Sequence, residues 1–143
     1  MSSQQDFLAL LHRANQIANE MFSSEVGFAN VTARQIHVLA AIEANEGGSQ
    51  SVLTTATSID RSTLSDIVKR LQKNKLIERR RSKSDARAYV VRLTAAGRQV
   101  LSSGKPALIS VENTLLARLT KKQRANLLSW LEVVVTTGSN PTT

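Results

Sequence analysis

Apolar residues follow a helical period over most of this chain. In residues 7–22 they recur at steps of three and four, a spacing that predicts an amphipathic helix. Thr32 and Gln35 have the spacing of a capping box, which predicts a second helix that starts after Thr32 and stops at the glycines of residues 47–48. A shorter helix, rich in Ser and Thr, is predicted over residues 51–57. The N-terminal part is therefore expected to be helical.

The most strongly amphipathic helix is predicted over residues 60–76, where Asp60 or Ser62 can cap the start. Apolar residues form one stripe at the i, i+3, i+4, i+7 positions. The stripe consists of Leu64, Ile67, Val68 and Leu71. The opposite face presents hydroxyls, an acid and cations, namely Ser62, Thr63, Ser65, Asp66, Lys69, Arg70 and Lys73. This helix is expected to pack on a core with one side and to offer polar groups with the other.

Two strands and two further helices are predicted in the C-terminal part. The strands cover residues 77–81 and 88–93, and the connection between them is long enough to project. A helix follows over residues 94–119, and Gly104 and Pro106 are expected to break or kink it. Thr120 and Gln123 repeat the capping-box spacing before a last helix. Its apolar stripe is Leu127, Leu128, Leu131, Val134 and Val135, and residues 139–143 are expected to fray.

The positive charge of the chain is concentrated in one segment. The 143 residues carry a net charge of +8. Between Arg61 and Arg92 there are eleven basic residues and three acids, whereas the rest of the chain has eight of each. A segment that holds the whole excess indicates a polyanion-binding surface rather than a face kept basic only for solubility.

Several classes of function are not favoured by the sequence. The absence of cysteine removes disulfides, thiolate catalysis and sulfur-ligated metals, and fits a cytoplasmic protein. Two histidines without cysteine are a poor transition-metal set, so no metal and no other cofactor is predicted. No apolar run has the length of a membrane span, and residues 1–6 do not resemble a signal peptide. No phosphate loop, nucleophile elbow or His-Glu-x-x-His motif occurs, so an enzyme is not predicted.

The middle of the chain resembles the MarR family of winged helix-turn-helix regulators. The resemblance is carried by Ile-Asp-Arg-Ser-Thr-Leu-Ser at residues 59–65, by Asp-Ala-Arg at 85–87, and by Val-Arg-Leu-Thr at 91–94. It implies a mainly α fold with a small β-wing, in which residues 32–97 form the DNA-binding lobe. Residues 1–30 and 98–143 would form dimerisation helices. It also implies a homodimer on a pseudo-palindromic operator, commonly a repressor released by a small anionic or phenolic ligand.

This resemblance assigns roles to the basic segment. The recognition helix would read bases in the major groove through Ser62, Thr63, Ser65, Asp66 and Arg70. Phosphates would meet Lys69, Lys73 and residues 79–81, with Arg61 and Lys83 completing the basic surface. Arg87 at the wing tip would enter the minor groove. Asp85 either holds Arg87 or Arg70 in an ion pair or is a turn residue that bonds its own backbone.

Departures from the family pattern concern the recognition helix. Asp66 stands where a basic or amide residue is common, and Lys69 stands where an acid is common. Asp66 could accept a hydrogen bond from a cytosine amino group or orient Arg70. Ser58 and Lys75 replace the usual glycines on either side of the helix, and Asn74 is expected to take the left-handed conformation instead.

An effector site is indicated by residues 10–16, Leu-Leu-His-Arg-Ala-Asn-Gln, which resemble the first helix of family members that sense aromatic acids. The resemblance points to Arg13 as partner of a ligand carboxylate, with Ile17, Arg34 and His37 nearby. Alternatively, Arg13 pairs with an acid such as Glu20 or with one from the partner chain. The expected function is a repressor released by an aromatic carboxylate or its CoA thioester. The alternative is a ligand-independent architectural or partner-regulated DNA-binding protein.

Overall fold

The computed structural model describes residues 5–27, 31–85 and 87–138. Over these ranges the chain forms α1 (Gln5–Val26), α2 (Ala33–Ala44), α3 (Gln50–Thr57), α4 (Arg61–Lys73), β1 (Ile77–Arg81), β2 (Tyr89–Leu93), α5 (Ala95–Leu116) and α6 (Lys121–Gly138). The predicted mainly α fold with a small β-wing is confirmed. The expected frayed tail, residues 139–143, lies outside the described residues, as do residues 1–4.

The wing is an antiparallel hairpin that also contacts the loop before α3. In the hairpin, Ile77 is paired with Leu93, and Arg81 is paired with Tyr89. The Gly47 N–H donates to the Val91 carbonyl at 3.4 Å, and Val91 donates back to the Gly48 carbonyl at 3.3 Å. An isolated bridge joins Ser49 to Val90. Backbone bonds therefore connect the wing to the first residues of α3.

Side-chain caps begin the helices where the sequence predicted them. At α2, Gln35 N–H donates to Thr32 Oγ1 and Thr32 N–H donates to Gln35 Oε1, both at 3.1 Å. At α6, the same reciprocal pair joins Thr120 and Gln123, at 2.9 and 3.2 Å. Of the two predicted caps for α4, Asp60 is the one used. These caps satisfy backbone N–H groups that no preceding turn can reach.

The core is formed mainly by α2, α4, the wing and α5. The stripe of α4 is buried, with Leu64, Val68 and Leu71 at most 1% exposed. Leu101 of α5 and Phe22 of α1 join the same apolar cluster. Burial of the stripe directs the polar face of α4 outward, as the pattern predicted.

Of the two outcomes expected at Gly104 and Pro106, a break or a kink, the break is wrong. The helix runs without interruption from Ala95 to Leu116. A Cβ at residue 104 would collide with the side chain of Ile36, so this glycine allows α5 to approach α2 closely. Pro106 is exposed, and its missing N–H deprives only the carbonyl of Ser102, on an exposed turn where water can replace it.

The left-handed residue after α4 is Lys75, not Asn74 as predicted. Lys75 has φ 60°, whereas Asn74 has φ −82°. The Leu76 N–H donates to the Leu71 carbonyl and the Lys75 N–H to the Gln72 carbonyl, each at 3.0 Å. These two bonds form a Schellman motif, in which the residue after the C-cap must be left-handed. Ser58 before α4 also has a positive φ, 55°.

The terminal helices expose many apolar side chains. On α1 and α6, exposed residues include Phe7, Leu8, Leu10, Leu128, Trp130 and Val134. Helix α1 packs on α5, whereas α6 makes few contacts within the chain. Within residues 5–27, 31–85 and 87–138, none of the helices combines the length and the hydropathy that a membrane span requires.

Candidate functional site

The outer face of α4 is polar and solvent-exposed. Ser62, Asp66, Lys69, Arg70 and Lys73 recur at steps of three and four and are all exposed. They lie opposite the buried stripe, so the helix can present them together to a groove. An α-helix fits the major groove, where the edges of all four base pairs can be distinguished.

Two residues that were predicted to contact bases, Thr63 and Ser65, do not lie on this outer face. The Thr63 N–H donates to Asp60 Oδ2 at 3.0 Å. Hydrogen bonds from the Thr63 side chain and backbone lower the pKa of Asp60. Thr63 therefore belongs to the cap of α4. Ser65 is half-buried and lies with Arg61 beside the wing.

Asp66 forms no ion pair with Arg70 in the part of the chain that the structure describes. The predicted orienting contact between these two residues is therefore not formed in the free protein. Arg70 and Lys73 instead line a polar cleft with Thr32 and Gln35 at the start of α2. The Asp66 carboxylate is left exposed on the outer face, where it can accept a hydrogen bond from a base.

The cations of β1 alternate between two environments. Arg80 forms a 3.2 Å ion pair with Glu78 on the exposed strand. Arg79 and Arg81 lie over the ring of Tyr89, with the guanidinium carbons 4.6 and 6.0 Å from its centroid. Arg79 Nε is buried and has no hydrogen-bond partner among the described residues. Only one of three adjacent arginines is thus engaged by an acid within the described ranges.

The wing tip shows which of the two interpretations of Asp85 applies in the free chain. The Arg87 N–H donates to Asp85 Oδ1 at 3.0 Å, and the Ala88 N–H donates to the Asp85 carbonyl at 3.1 Å. No ion pair of Asp85 with Arg87 or Arg70 occurs among the side chains described. Asp85 is therefore a turn residue. Lys83 and Arg87 are exposed at the tip, as minor-groove or phosphate contacts must be.

A cleft of about 330 Å³ separates α4 from the wing, and we call it the wing cleft. Its polar lining includes Ser49, Ser51, Arg61, Ser65, Arg87 and Tyr89. The sequence predictions included its two arginines and Ser65 but missed Tyr89 and the residues at the start of α3. Tyr89 could have been noticed as the only tyrosine of the chain, placed within the basic hairpin.

A larger cleft of about 770 Å³ lies between α1, the start of α2 and α5, and we call it the helix cleft. One part of its lining is apolar and consists of Ala18, Phe22, Leu108, Val111 and Leu115. The polar part consists mainly of Asn15, Asn19, Arg34, His37 and Glu112. This size and mixture are typical of sites for small organic ligands.

Of the four predicted effector residues, two line the helix cleft and two do not. Arg34 and His37 line the helix cleft, whereas Arg13 and Ile17 are not among its lining residues. The α1 positions that face this cleft are spaced like Asn15 and Asn19, and Arg13 is rotated away from that stripe. Arg13 is exposed, and the alternative partner Glu20 accepts a hydrogen bond from Gln16 Nε2 at 3.1 Å. Within the described residues, Arg13 neither lines the helix cleft nor forms an ion pair.

His37 is a cleft histidine in this structure. In the described ranges, no three His, Cys, Asp or Glu side chains come together in a way that could hold a metal ion. The nearest charged neighbours along the cleft lining are Arg34 and Glu112, of opposite sign. The polar end of the cleft can therefore offer both hydrogen-bond donors and an acceptor to a ligand.

Comparisons with known proteins agree with this architecture. Residues 29–88 match the family model described as MarR family. A protein assigned to transcriptional regulation of the hcr operon in Thauera aromatica is 33% identical over 71% of this chain, which spans 61% of that protein. The repressor NicR of Pseudomonas putida is 26% identical, over 92% of this chain and 83% of NicR. The regulator HosA of Escherichia coli is 30% identical, over 66% of this chain and 70% of HosA.

Solved structures share the fold along nearly the whole chain. The regulator PcaV of Streptomyces coelicolor with its natural ligand has a TM-score of 0.86 at 24% identity, covering 97% of this chain and all of PcaV. BpsR of Bordetella bronchiseptica has a TM-score of 0.81 at 23% identity, covering 99% of both chains. The repressor CouR on a 23-mer DNA duplex has a TM-score of 0.74 at 28% identity, covering 94% and 99%.

Proposed function

The chain is a DNA-binding transcriptional regulator of the MarR family, and on that premise we propose that it is a homodimeric repressor released from its operator by a hydroxylated aromatic acid. The observation that carries the DNA-binding part is the polar face of α4, whose cations project beside a wing with exposed Lys83 and Arg87. These elements belong to the segment from Arg61 to Arg92, which holds the whole charge excess of the chain.

The terminal helices support the proposed homodimer. Leu8, Leu10, Leu128, Trp130 and Val134 are between 50 and 64% exposed in the single chain. Exposed apolar surface of this extent is typical of an interaction site. A second copy is the proposed partner, because the family resemblance assigns residues 1–30 and 98–143 to dimerisation. A two-fold dimer would place two α4 helices on a pseudo-palindromic operator.

The effector proposal rests on the chemistry of the helix cleft. Arg34 can hold a planar carboxylate through its fixed fork of donors. The apolar wall formed around Phe22 can contact an aromatic ring. Glu112 can accept a hydrogen bond from a ring hydroxyl, which favours hydroxylated acids over simple ones. The fold can couple such a ligand to DNA, since 6-hydroxynicotinic acid regulates DNA binding by BpsR.

The operator is to be sought by selection from a random duplex library, because Asp66 and Lys69 depart from the family pattern. Binding of the selected duplex is then measured by fluorescence anisotropy against nonspecific competitor. We expect Arg87→Ala to weaken binding about tenfold with fold and dimer unchanged, as each good contact contributes about 1–3 kcal/mol. Equal competition by nonspecific DNA would instead support the alternative, an architectural protein that reads little sequence.

The effector proposal is tested with a matched pair of arginine variants. Calorimetry with hydroxybenzoates, hydroxycinnamates and their CoA thioesters measures binding to the wild type. We expect Arg34→Ala to lose this binding and Arg13→Ala to retain it, because only Arg34 lines the helix cleft. Loss in Arg13→Ala alone would move the carboxylate partner to α1, as the sequence first indicated. No binding by any compound would contradict an aromatic effector.

A further inference from the structure

The wing cleft lies where a DNA backbone must pass. With α4 in the major groove and the wing in the adjoining minor groove, one sugar-phosphate strand separates the two elements. The wing cleft is lined by Arg61 and Ser65 from α4 on one side and by Arg87 and Tyr89 from the wing on the other. Arginine and serine side chains are common donors to phosphate oxygens.

Two elements that line this cleft, the start of α3 and the wing, are joined before any DNA binds. The bridge from Ser49 to Val90 joins the start of α3 to β2. Hydrogen bonds between residues 47–48 and Val91 extend this connection. Ser49 also accepts the Val52 N–H at 3.4 Å as the cap of α3. The start of α3 and the wing therefore keep their spacing without a ligand, which lowers the ordering cost of binding.

Tyr89 contributes to this cleft and to the cations of β1 at the same time. It is 41% exposed, and its ring carries the Arg79 guanidinium at 4.6 Å. Arg79 is half-buried and its Nε has no partner among the residues described, whereas its neighbour Arg80 is paired with Glu78. A guanidinium held by a ring face keeps its outer N–H groups for another acceptor.

We propose that the wing cleft binds one backbone phosphate of DNA per half-site, and that Tyr89, which lines the cleft, is a positioning residue that holds Arg79 toward a neighbouring phosphate of the same strand. This proposal rests on the proposed DNA-binding function and adds a site to it. The bound group is a phosphodiester of the strand that separates two grooves. These are the major groove read by α4 and the adjoining minor groove that receives Arg87. Contact there would fix the register of α4 and the wing without reading sequence.

The site is tested by neutralising single phosphates of the selected operator with methylphosphonate. We expect one position per half-site at which the neutral linkage weakens wild-type binding about tenfold. In Arg61→Ala the same linkage should cost less than twofold, because its partner is already gone. The salt slope of Arg61→Ala should fall by about 0.9 for each phosphate that the variant no longer neutralises. Equal sensitivity of both proteins at every position would overturn the site.

The role of Tyr89 is tested by a series with a matched control on the same strand. We expect Tyr89→Leu to weaken operator binding about 3- to 30-fold, the range of a desolvated cation–π contact, and Tyr89→Phe to stay within about twofold. Adding Tyr89→Leu to Arg79→Ala should cause no further loss, whereas adding it to Arg80→Ala should cause the full loss. Independent effects in both pairs would overturn the positioning role.

Failure of the site and failure of the proposed function give different results. If the wild type selects no duplex and binds none, the proposed function fails. If the wild type binds its operator tightly but no single neutral linkage is coupled to Arg61, only the wing cleft is wrong. Circular dichroism and sedimentation of Tyr89→Leu show whether its fold and dimer are intact.

Discussion

Helices α4 and α6 have the same kind of sequence and opposite surroundings. Both carry an apolar stripe at helical spacing behind a capped start. In α4, Leu64 and Leu71 are fully buried. In α6, Leu128 is 52% and Val134 is 50% exposed. The stripe of α4 is covered by its own chain, whereas Leu128 and Val134 of α6 would be covered by a second copy in the proposed dimer. A periodic pattern thus predicts that a face will be buried, but not by which chain.

The largest effect is expected from charges placed on the α6 stripe. In Leu128→Asp/Val134→Asp, two unpaired carboxylates would have to enter the dimer interface, so the dissociation constant of the dimer should rise at least about 100-fold. Operator binding should be lost with it. Sedimentation equilibrium measures the dimer, and circular dichroism checks that the lobe remains folded.

The control for this pair is Ser129→Asp, on the opposite side of the α6 helical wheel, which should leave the dimer intact. A fully dimeric double variant would show that α6 is covered in some other way. The contrast drawn above, in which α4 is covered by its own chain and α6 by a second copy, would then be wrong.

A smaller effect is expected from truncating the α4 stripe. Leu71→Ala removes a fully buried side chain and should lower the free energy of unfolding by about 2–5 kcal/mol. The control is Gln72→Ala, at the exposed neighbouring residue, which should change the free energy of unfolding by less than about 0.5 kcal/mol. Urea unfolding at one fixed protein concentration measures both. Similar values for the two variants would mean that the α4 stripe is not the centre of the core.

The end of α4 offers a stabilising change. Lys75 holds a left-handed backbone at φ 60°, where a side chain is unfavourable. Lys75→Gly should raise the free energy of unfolding by about 0.5–1 kcal/mol. Asn74→Gly should not, because Asn74 has a negative φ. Thermal unfolding compares the two variants, and a gain in Asn74→Gly alone would contradict the assigned Schellman motif.

The smallest effect concerns the cap of α4 and depends on pH. Bonds from Thr63 lower the pKa of Asp60 in the folded state. The unfolded state therefore binds this proton more readily, and the stabilisation is present above about pH 4 and lost as pH falls through the lowered value. Asp60→Asn keeps a good cap without the charge. The stability difference between the two proteins should be larger at pH 7 than at pH 3; a constant difference would exclude this role.

Local features of the site were readable from the sequence. The starts of α2, α4 and α6 were predicted because a cap involves residues three positions apart. The basic surface was predicted because charge is counted directly from composition. The hydrogen-bond partners of Asp85 and Thr63 could not be predicted in this way, because each side chain can bond nearby backbone or a distant partner. Only the folded turn shows which of these partners is nearer.

The sequence by itself determined the order of the helices, the polar face of α4 and the position of the basic hairpin, since these depend on short-range spacing. Tertiary structure decided that Arg34 rather than Arg13 lines the helix cleft, because that depends on how α1 is rotated against α2 and α5. It also placed Tyr89 between Arg79 and the wing cleft, through a strand pairing that no local pattern shows. What the sequence can determine depends on distance along the chain. Capping and periodicity involve residues a few positions apart, whereas a cleft is formed by residues far apart in sequence.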